Sequence, residues 1–165
     1  MIRNGNNVAI LAGGTSQERV ISLLSAEQLQ KWLTGTPYTP YIIDIQGSSW
    51  TYTLPDGRCV QVDKNTFSLP LPEGTLPLDL AFISTHGTPG ENGLLQGYLE
   101  LMHIPFSSGN TFTQAVSFHK SACKRFLQGV VPLLPSLDIH CFEELDLEAI
   151  RREIGFPLFV KPNDN

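Results

Sequence analysis

An apolar run at residues 8–12 (VAILA) stops at Gly13-Gly14, a helical pattern takes over, and a second apolar run follows at residues 41–45 (YIIDI). This strand–loop–helix–strand order constrains the fold more than any other feature of the chain. Two strands joined through a helix run side by side in one direction, so the order predicts an α/β fold with a parallel sheet and helices on its faces. The helix carries Ile21, Leu24, Leu29, Trp32 and Leu33 at near-helical spacing, the pattern of an apolar face. A further strand is expected over residues 78–84, a helix over 94–102, and a short extended piece at Ile104-Pro105-Phe106.

Residues 46–78 break the alternation. Two strand-like pieces, 50–53 and 58–62, flank Leu54-Pro55-Asp56-Gly57, a turn signal for a β-hairpin. Pro70, Pro72 and Pro77 then argue against a helix, so the stretch reads as an inserted hairpin plus a loop. Downstream, Phe112, Ala115, Val116, Ala122, Cys123, Phe126 and Leu127 form one apolar stripe, with Gly129 as a stop. A Pro-rich link, Val131-Pro132-Leu133-Leu134-Pro135, marks a domain boundary at 120–130. Leu147, Ile150 and Ile154 predict a last helix capped by Gly155, and residues 156–160 read as a buried strand that delivers Lys161.

A hydrophobic content of 41% is enough for a core. The net charge of −5 and the absence of a basic stretch argue against nucleic acid as a partner. The polar start, residues 1–7, shows no secretory signal, and no apolar run approaches the roughly 20 residues that span a bilayer. Cys59, Cys123 and Cys141 have no metal-ligand spacing and read as reduced thiols in a cytoplasmic protein.

Three loops carry candidate chemistry. Gly13-Gly14-Thr15-Ser16-Gln17-Glu18 opens a helix whose first N–H groups suit an anion. Spacing alone favours a plainer reading, a capping box between Thr15 and Glu18. The loop His86-Gly87-Thr88-Pro89-Gly90-Glu91-Asn92-Gly93 follows a strand, where open parallel sheets bind ligands. His86 is placed to donate to a carboxylate or phosphate, or is simply a loop histidine, with Glu91 capping the next helix. Lys120 reads by itself as a solvated helix lysine, and His119 as a half-buried histidine on the stripe. Lys161 at a strand end is either a lysine snorkelling from that end or a phosphate contact. No G-x-S-x-G, HExxH or EF-hand loop is present.

Together, GGTSQERVISLLSA (13–26), HGTPGENGLLQGYLELMHIPF (86–106), SFHKSACKRFL (117–127) and GFPLFVKPN (155–163) resemble the N-terminal part of D-alanine–D-alanine ligases, of the ATP-grasp superfamily. The resemblance implies a three-layer, Rossmann-like pre-ATP-grasp domain at 1–120 that binds substrate, and the start of an ATP-grasp domain at 121–165. It implies ATP-dependent joining of two D-alanines through an acyl phosphate, for peptidoglycan synthesis, by a homodimeric cytoplasmic enzyme. Glu18 then holds the ammonium of the first D-alanine, His86 and Gly87 lie at its carboxylate, and Lys120 and Lys161 contact ATP. The Gly/Ser-rich phosphate loop, a charge-stabilising arginine and the Mg²⁺ ligands are expected beyond Asn165, so the chain alone is expected to be inactive. A non-catalytic binding or dimerisation module, and a ligase using D-lactate or D-serine second, are the rival expectations. The chain departs from the family at Val20, His119, Asn92 and the loop Ser107-Ser108-Gly109-Asn110.

Overall fold

The computed structural model describes residues 5–141 and 146–164. Most of the polar start (residues 1–4) and Asn165 lie outside the described residues. The chain forms two compact units, Met1–Ala115 and Val116–Asn165.

In the first unit, β1 (Asn7–Gly13) is followed by α1 (Arg19–Leu33) and β2 (Thr39–Gln46). Then come β3 (Ser49–Thr53), β4 (Cys59–Gln61), β5 (Ser68–Leu71), β6 (Gly74–Pro77), β7 (Leu80–Ile83) and α2 (Leu94–Leu101). The main sheet has the order β4-β3-β2-β1-β7. β1 runs parallel to β2 from Asn7↔Thr39 to Gly13↔Ile45, and parallel to β7 from Val8↔Leu80 to Leu11↔Ile83. This is the predicted α/β architecture, with antiparallel β3 and β4 added beyond β2.

Alternation along the strands divides the core into two layers. Ala9, Leu11, Ile43, Ile45 and Ala81 pack with Leu95 and Leu99 of α2. Val8, Ile10 and Ala12 pack on the opposite face with Ala26 of α1 and, half-buried, Leu23, Leu29 and Leu33. Each fully buried Leu or Ile contributes about 1.5–3 kcal/mol through apolar burial.

The buried face of α1 differs from the expected one. Ile21 is 54% exposed, Leu24 55% and Trp32 68%, while Ser22 is fully buried. Ser22 satisfies its hydroxyl completely: Oγ accepts from the Gly13 amide (2.9 Å) and donates to the Ser84 carbonyl (2.7 Å). A buried polar side chain with both partners in place carries no unsatisfied-group penalty, so Ser22 is compatible with the core face of α1.

The first hairpin forms as expected, Gly57 donating to Leu54 O at 2.9 Å. The stretch after it is a second hairpin rather than a loop: β5 and β6 pair antiparallel, closed by Pro72 and Glu73. Its prolines are tolerated because each strand of a two-stranded sheet has an open edge where no donor is needed. It supplies Phe67 and Leu69 to the core, so residues 46–78 are an integral wall.

Around the second unit, the single stripe expected after residue 111 is broken. α3 (Thr111–Phe118) and α4 (Lys120–Leu127) are separate helices. His119 is half-buried but extended (φ −86°, ψ 103°), and its Nδ1 accepts from the Ala122 amide at 3.2 Å, capping α4. α5 (Leu147–Glu153) is capped by Asp146 and ends at Gly155 in a left-handed conformation (φ 83°), as predicted. Residues 156–160 are not a strand, and Phe159 is 93% exposed. A strand exists by pairing with a neighbour, and among the described residues none pairs with this segment. No helix among the described residues is long and apolar enough to cross a membrane.

Candidate functional site

In the first unit, β1, β2 and β7 end close together, and the loops leaving them are tied to one another. Gly14 N–H donates to Ile45 O (2.8 Å) and Thr15 N–H to Thr88 O (3.1 Å). Ser16 Oγ donates to His86 O (2.9 Å). Two glycines permit this closeness. Gly13 and Gly14 have φ of 90° and 99°, and a Cβ on Gly14 would sit 2.8 Å from Thr85 Cγ2 and 2.9 Å from Thr88 O. Both the conformation and the space require glycine.

The capping box does not form. Thr15 Oγ1 is turned to Thr88 O (3.4 Å), and Glu18 is itself the N-cap of α1, with no side-chain capping bond. The Glu18 carboxylate is exposed at the helix start. Beside it, Arg19 reaches across to Asp44 at 2.7 Å, which pushes its already high pKa further up. That ion pair pins the start of α1 to the end of β2.

His86 is half-buried and Gly87 buried. Glu91 does not cap α2. Its Oε2 turns back and accepts from Gly87 N–H at 2.7 Å, closing the loop. The Gly87 amide is therefore engaged, and an incoming acceptor reaches it only if Glu91 gives way. A cavity of about 500 Å³ lies beside this loop, lined by His86 and Glu91, by Phe82 of β7, and by Ser25, Gln28 and Trp32 of α1. Glu18 and Gly87 do not line it. The Ser16 side chain bonds the backbone of the His86 loop, and the Thr15 amide bonds its Thr88 carbonyl, so Glu18 and His86 stand on one tied loop pair.

In the second unit, Lys120 and Lys161 are both exposed. Lys161 Nζ lies 5.7 Å from the centroid of the Phe159 ring, a cation–π distance. Asn163, two residues on, bonds to the start of α4. Its carbonyl accepts from Lys120 N (2.9 Å) and Lys120 Nζ (3.3 Å), and its Oδ1 accepts from Ser121 N (3.1 Å). Ser121 Oγ lies 2.7 Å from Asn163 Oδ1 and donates to Asp138 Oδ1. That hydrogen bond, helped by Arg125 at 3.0 Å, holds the Asp138 carboxyl below its ordinary pKa. Sequence reasoning missed Ser22, Ser121, Asp138 and Asn163. Only Asn163 carried a signal, its place beside Lys161-Pro162.

A family model described as D-ala D-ala ligase N-terminus matches residues 7–109, which include Glu18, His86 and Gly87. The D-alanine–D-alanine ligase of Phocaeicola vulgatus is 41% identical over 157 residues, covering 94% of this chain and 48% of that protein. The D-alanine–D-alanine ligase of Porphyromonas gingivalis is 39% identical over 158 residues, with the same shares. Among solved structures, D-alanyl-alanine synthetase A from Vibrio cholerae superimposes with a TM-score of 0.71 at 30% identity, over 82% of this chain and 41% of that one. The chain spans about half the length of the curated relatives it matches.

Proposed function

The chain belongs to the D-ala D-ala ligase N-terminus family, and from that premise we propose that it forms the substrate-binding part of an ATP-dependent D-alanine–D-alanine ligase. In this reading Glu18 pairs with the ammonium of the first D-alanine, and His86 donates to its carboxylate. Lys120 and Lys161 neutralise phosphate charge on ATP. The γ-phosphoryl group passes to the carboxylate of the first D-alanine, giving an acyl phosphate and ADP. The amine of the second D-alanine then attacks the acyl carbon and phosphate leaves, with the amine's proton passing to solvent.

The observation that carries the proposal is the tied loop pair. A carboxylate and a histidine stand on loops joined by Thr15–Thr88 and Ser16–His86 at the ends of parallel strands, within the family match. Such strand ends are where open α/β sheets hold ligands. Mg²⁺ belongs to the same reading. Among the described residues no group of three His, Cys, Asp or Glu side chains comes together. The division that keeps Lys120 with the segment carrying Lys161 is the one after Ala115, five residues before the boundary expected at 120. A cytoplasmic homodimer acting in peptidoglycan synthesis completes the proposal. Free Cys59, Cys123 and Cys141 fit a reducing compartment, and the exposed apolar residues Val20, Ile21 and Leu24 offer a face for a partner.

The test is a chimera in which residues 1–165 replace the matching half of the Phocaeicola vulgatus ligase. It is expected to release ADP when given D-alanine. Glu18→Gln should raise the KM for the first D-alanine roughly 10- to 100-fold, the loss of a hydrogen-bonded charge pair. Unchanged D-alanine kinetics in the Gln variant would remove Glu18 from the site. Running D-lactate and D-serine as second substrates assigns the product.

A further inference from the structure

We propose that Asn163 is a positioning residue that locks Lys120 and Lys161 into one phosphate-binding unit. This deepens the reading above and rests on its assignment of the two lysines to ATP.

The lysines stand 41 positions apart in sequence, one at the start of α4 and one in a segment that belongs to no strand or helix. Residues 161–164 have no pairing neighbour among the described residues to fix them. Their attachment to α4 runs through Asn163, which makes four contacts with two consecutive residues. Its carbonyl takes the Lys120 amide and ammonium, and its side-chain oxygen takes the Ser121 amide and lies beside the Ser121 hydroxyl. The carbonyl contacts are available to any residue at 163. The Ser121 contacts are not: they need an oxygen at the γ-carbon of the side chain.

The partner is itself fixed. Ser121 is 9% exposed, and its hydroxyl has one proton for two acceptors, Asp138 and Asn163. The ionised carboxylate of Asp138 is the stronger acceptor and takes that proton. Asn163 Oδ1 is then satisfied by the Ser121 amide. Arg125, one turn further along α4, holds Asp138 in place. The chain Arg125–Asp138–Ser121–Asn163 thus ties the helix that carries Lys120 to the segment that carries Lys161. Phosphate charge is met by both lysines together only when their backbones are held at a fixed spacing, and that spacing is what Asn163 sets.

The experiment compares Asn163→Ala, Lys120→Ala and Lys161→Ala in the chimera, and follows the Ser121 amide by hydrogen exchange in the 165-residue chain. Asn163→Ala is expected to raise the KM for ATP about 5- to 10-fold, the cost of losing a net hydrogen bond. The KM for D-alanine should stay unchanged, and the Ser121 amide should lose protection while amides of β1 and β2 keep theirs. Exchanging the two groups (Asn163→Asp with Asp138→Asn) leaves a side-chain oxygen facing the Ser121 amide and should recover most of the ATP affinity. A purely structural role would move both KM values together and show no recovery. If the lysine variants raise the KM for ATP and Asn163→Ala does not, the positioning role is wrong and the ATP reading stands. If neither lysine variant affects ATP, the reading fails and this inference with it.

Discussion

At the ends of β1 and β7, loops are held by backbone amides bonding to carbonyls of neighbouring loops and strands, over a floor of fully buried side chains. Residues 161–164 are held to α4 largely by the carbonyl and side chain of one asparagine, with Phe159 and Val160 exposed nearby in sequence. The first arrangement resists change because many backbone contacts must break at once. The second depends on single side chains, so one substitution can release it. Backbone ties make the strand ends tolerant of side-chain change, whereas the tether at Asn163 holds its fixed spacing only as long as its few side-chain contacts are kept.

Three measurements sharpen or break this contrast. The largest effect is expected from Gly14→Val, where positive φ and two contacts under 3.0 Å combine. It should cost about 3 kcal/mol or more in urea unfolding, against about 1 kcal/mol for Gly155→Ala, which has positive φ but open space around it. Equal costs would mean that conformation alone, not the crowded strand end, sets the requirement. Next, Ser22→Ala removes a buried hydroxyl with two partners and should cost about 1–3 kcal/mol, read by the same unfolding curve. A loss under 0.5 kcal/mol would show that the loop pair does not depend on α1.

The smallest effect is a pH dependence in the second unit. The folded-state pKa of Asp138 is depressed, so its stabilisation is present above the ordinary carboxylate pKa of about 3.9. It is lost as pH falls through the folded value. Protection of the Ser121 amide should therefore weaken on acidification below about pH 4, while Asp138→Asn should flatten that dependence. An unchanged profile in the Asn variant would separate Asp138 from the tether.

Where order was local, the sequence revealed it. β1, β2 and the turn at Pro55–Gly57 follow from short, nearly continuous apolar runs and a strong turn signal, and the glycines at 13 and 14 marked the loop. The buried face of α1 was misread because periodicity counts apolar residues and cannot see that Ser22 is satisfied in the core, while Ile21, Leu24 and Trp32 face outward. The break at His119 was invisible because a histidine becomes a helix cap only through the bond it makes to Ala122. The pairing of β5 with β6 was hidden by its prolines. Glu18 and Lys120 were picked out through resemblance rather than spacing, while His86 and Lys161 were candidates from their expected strand-end positions, and the contacts of Asn163 with Lys120 and Ser121 join positions too distant in sequence for any local pattern to link.

The segment that interrupts the βα alternation has an evolutionary consequence. Trp50, Val62, Phe67 and Leu69 are all core residues that it contributes. These side chains share one core with Ile43, Ile45 and Leu99, so removing the segment would leave those residues facing water. The segment is thus entrenched: its tips, near Asp56 and Glu73, remain open to lengthening or drift, while its body is closed to loss.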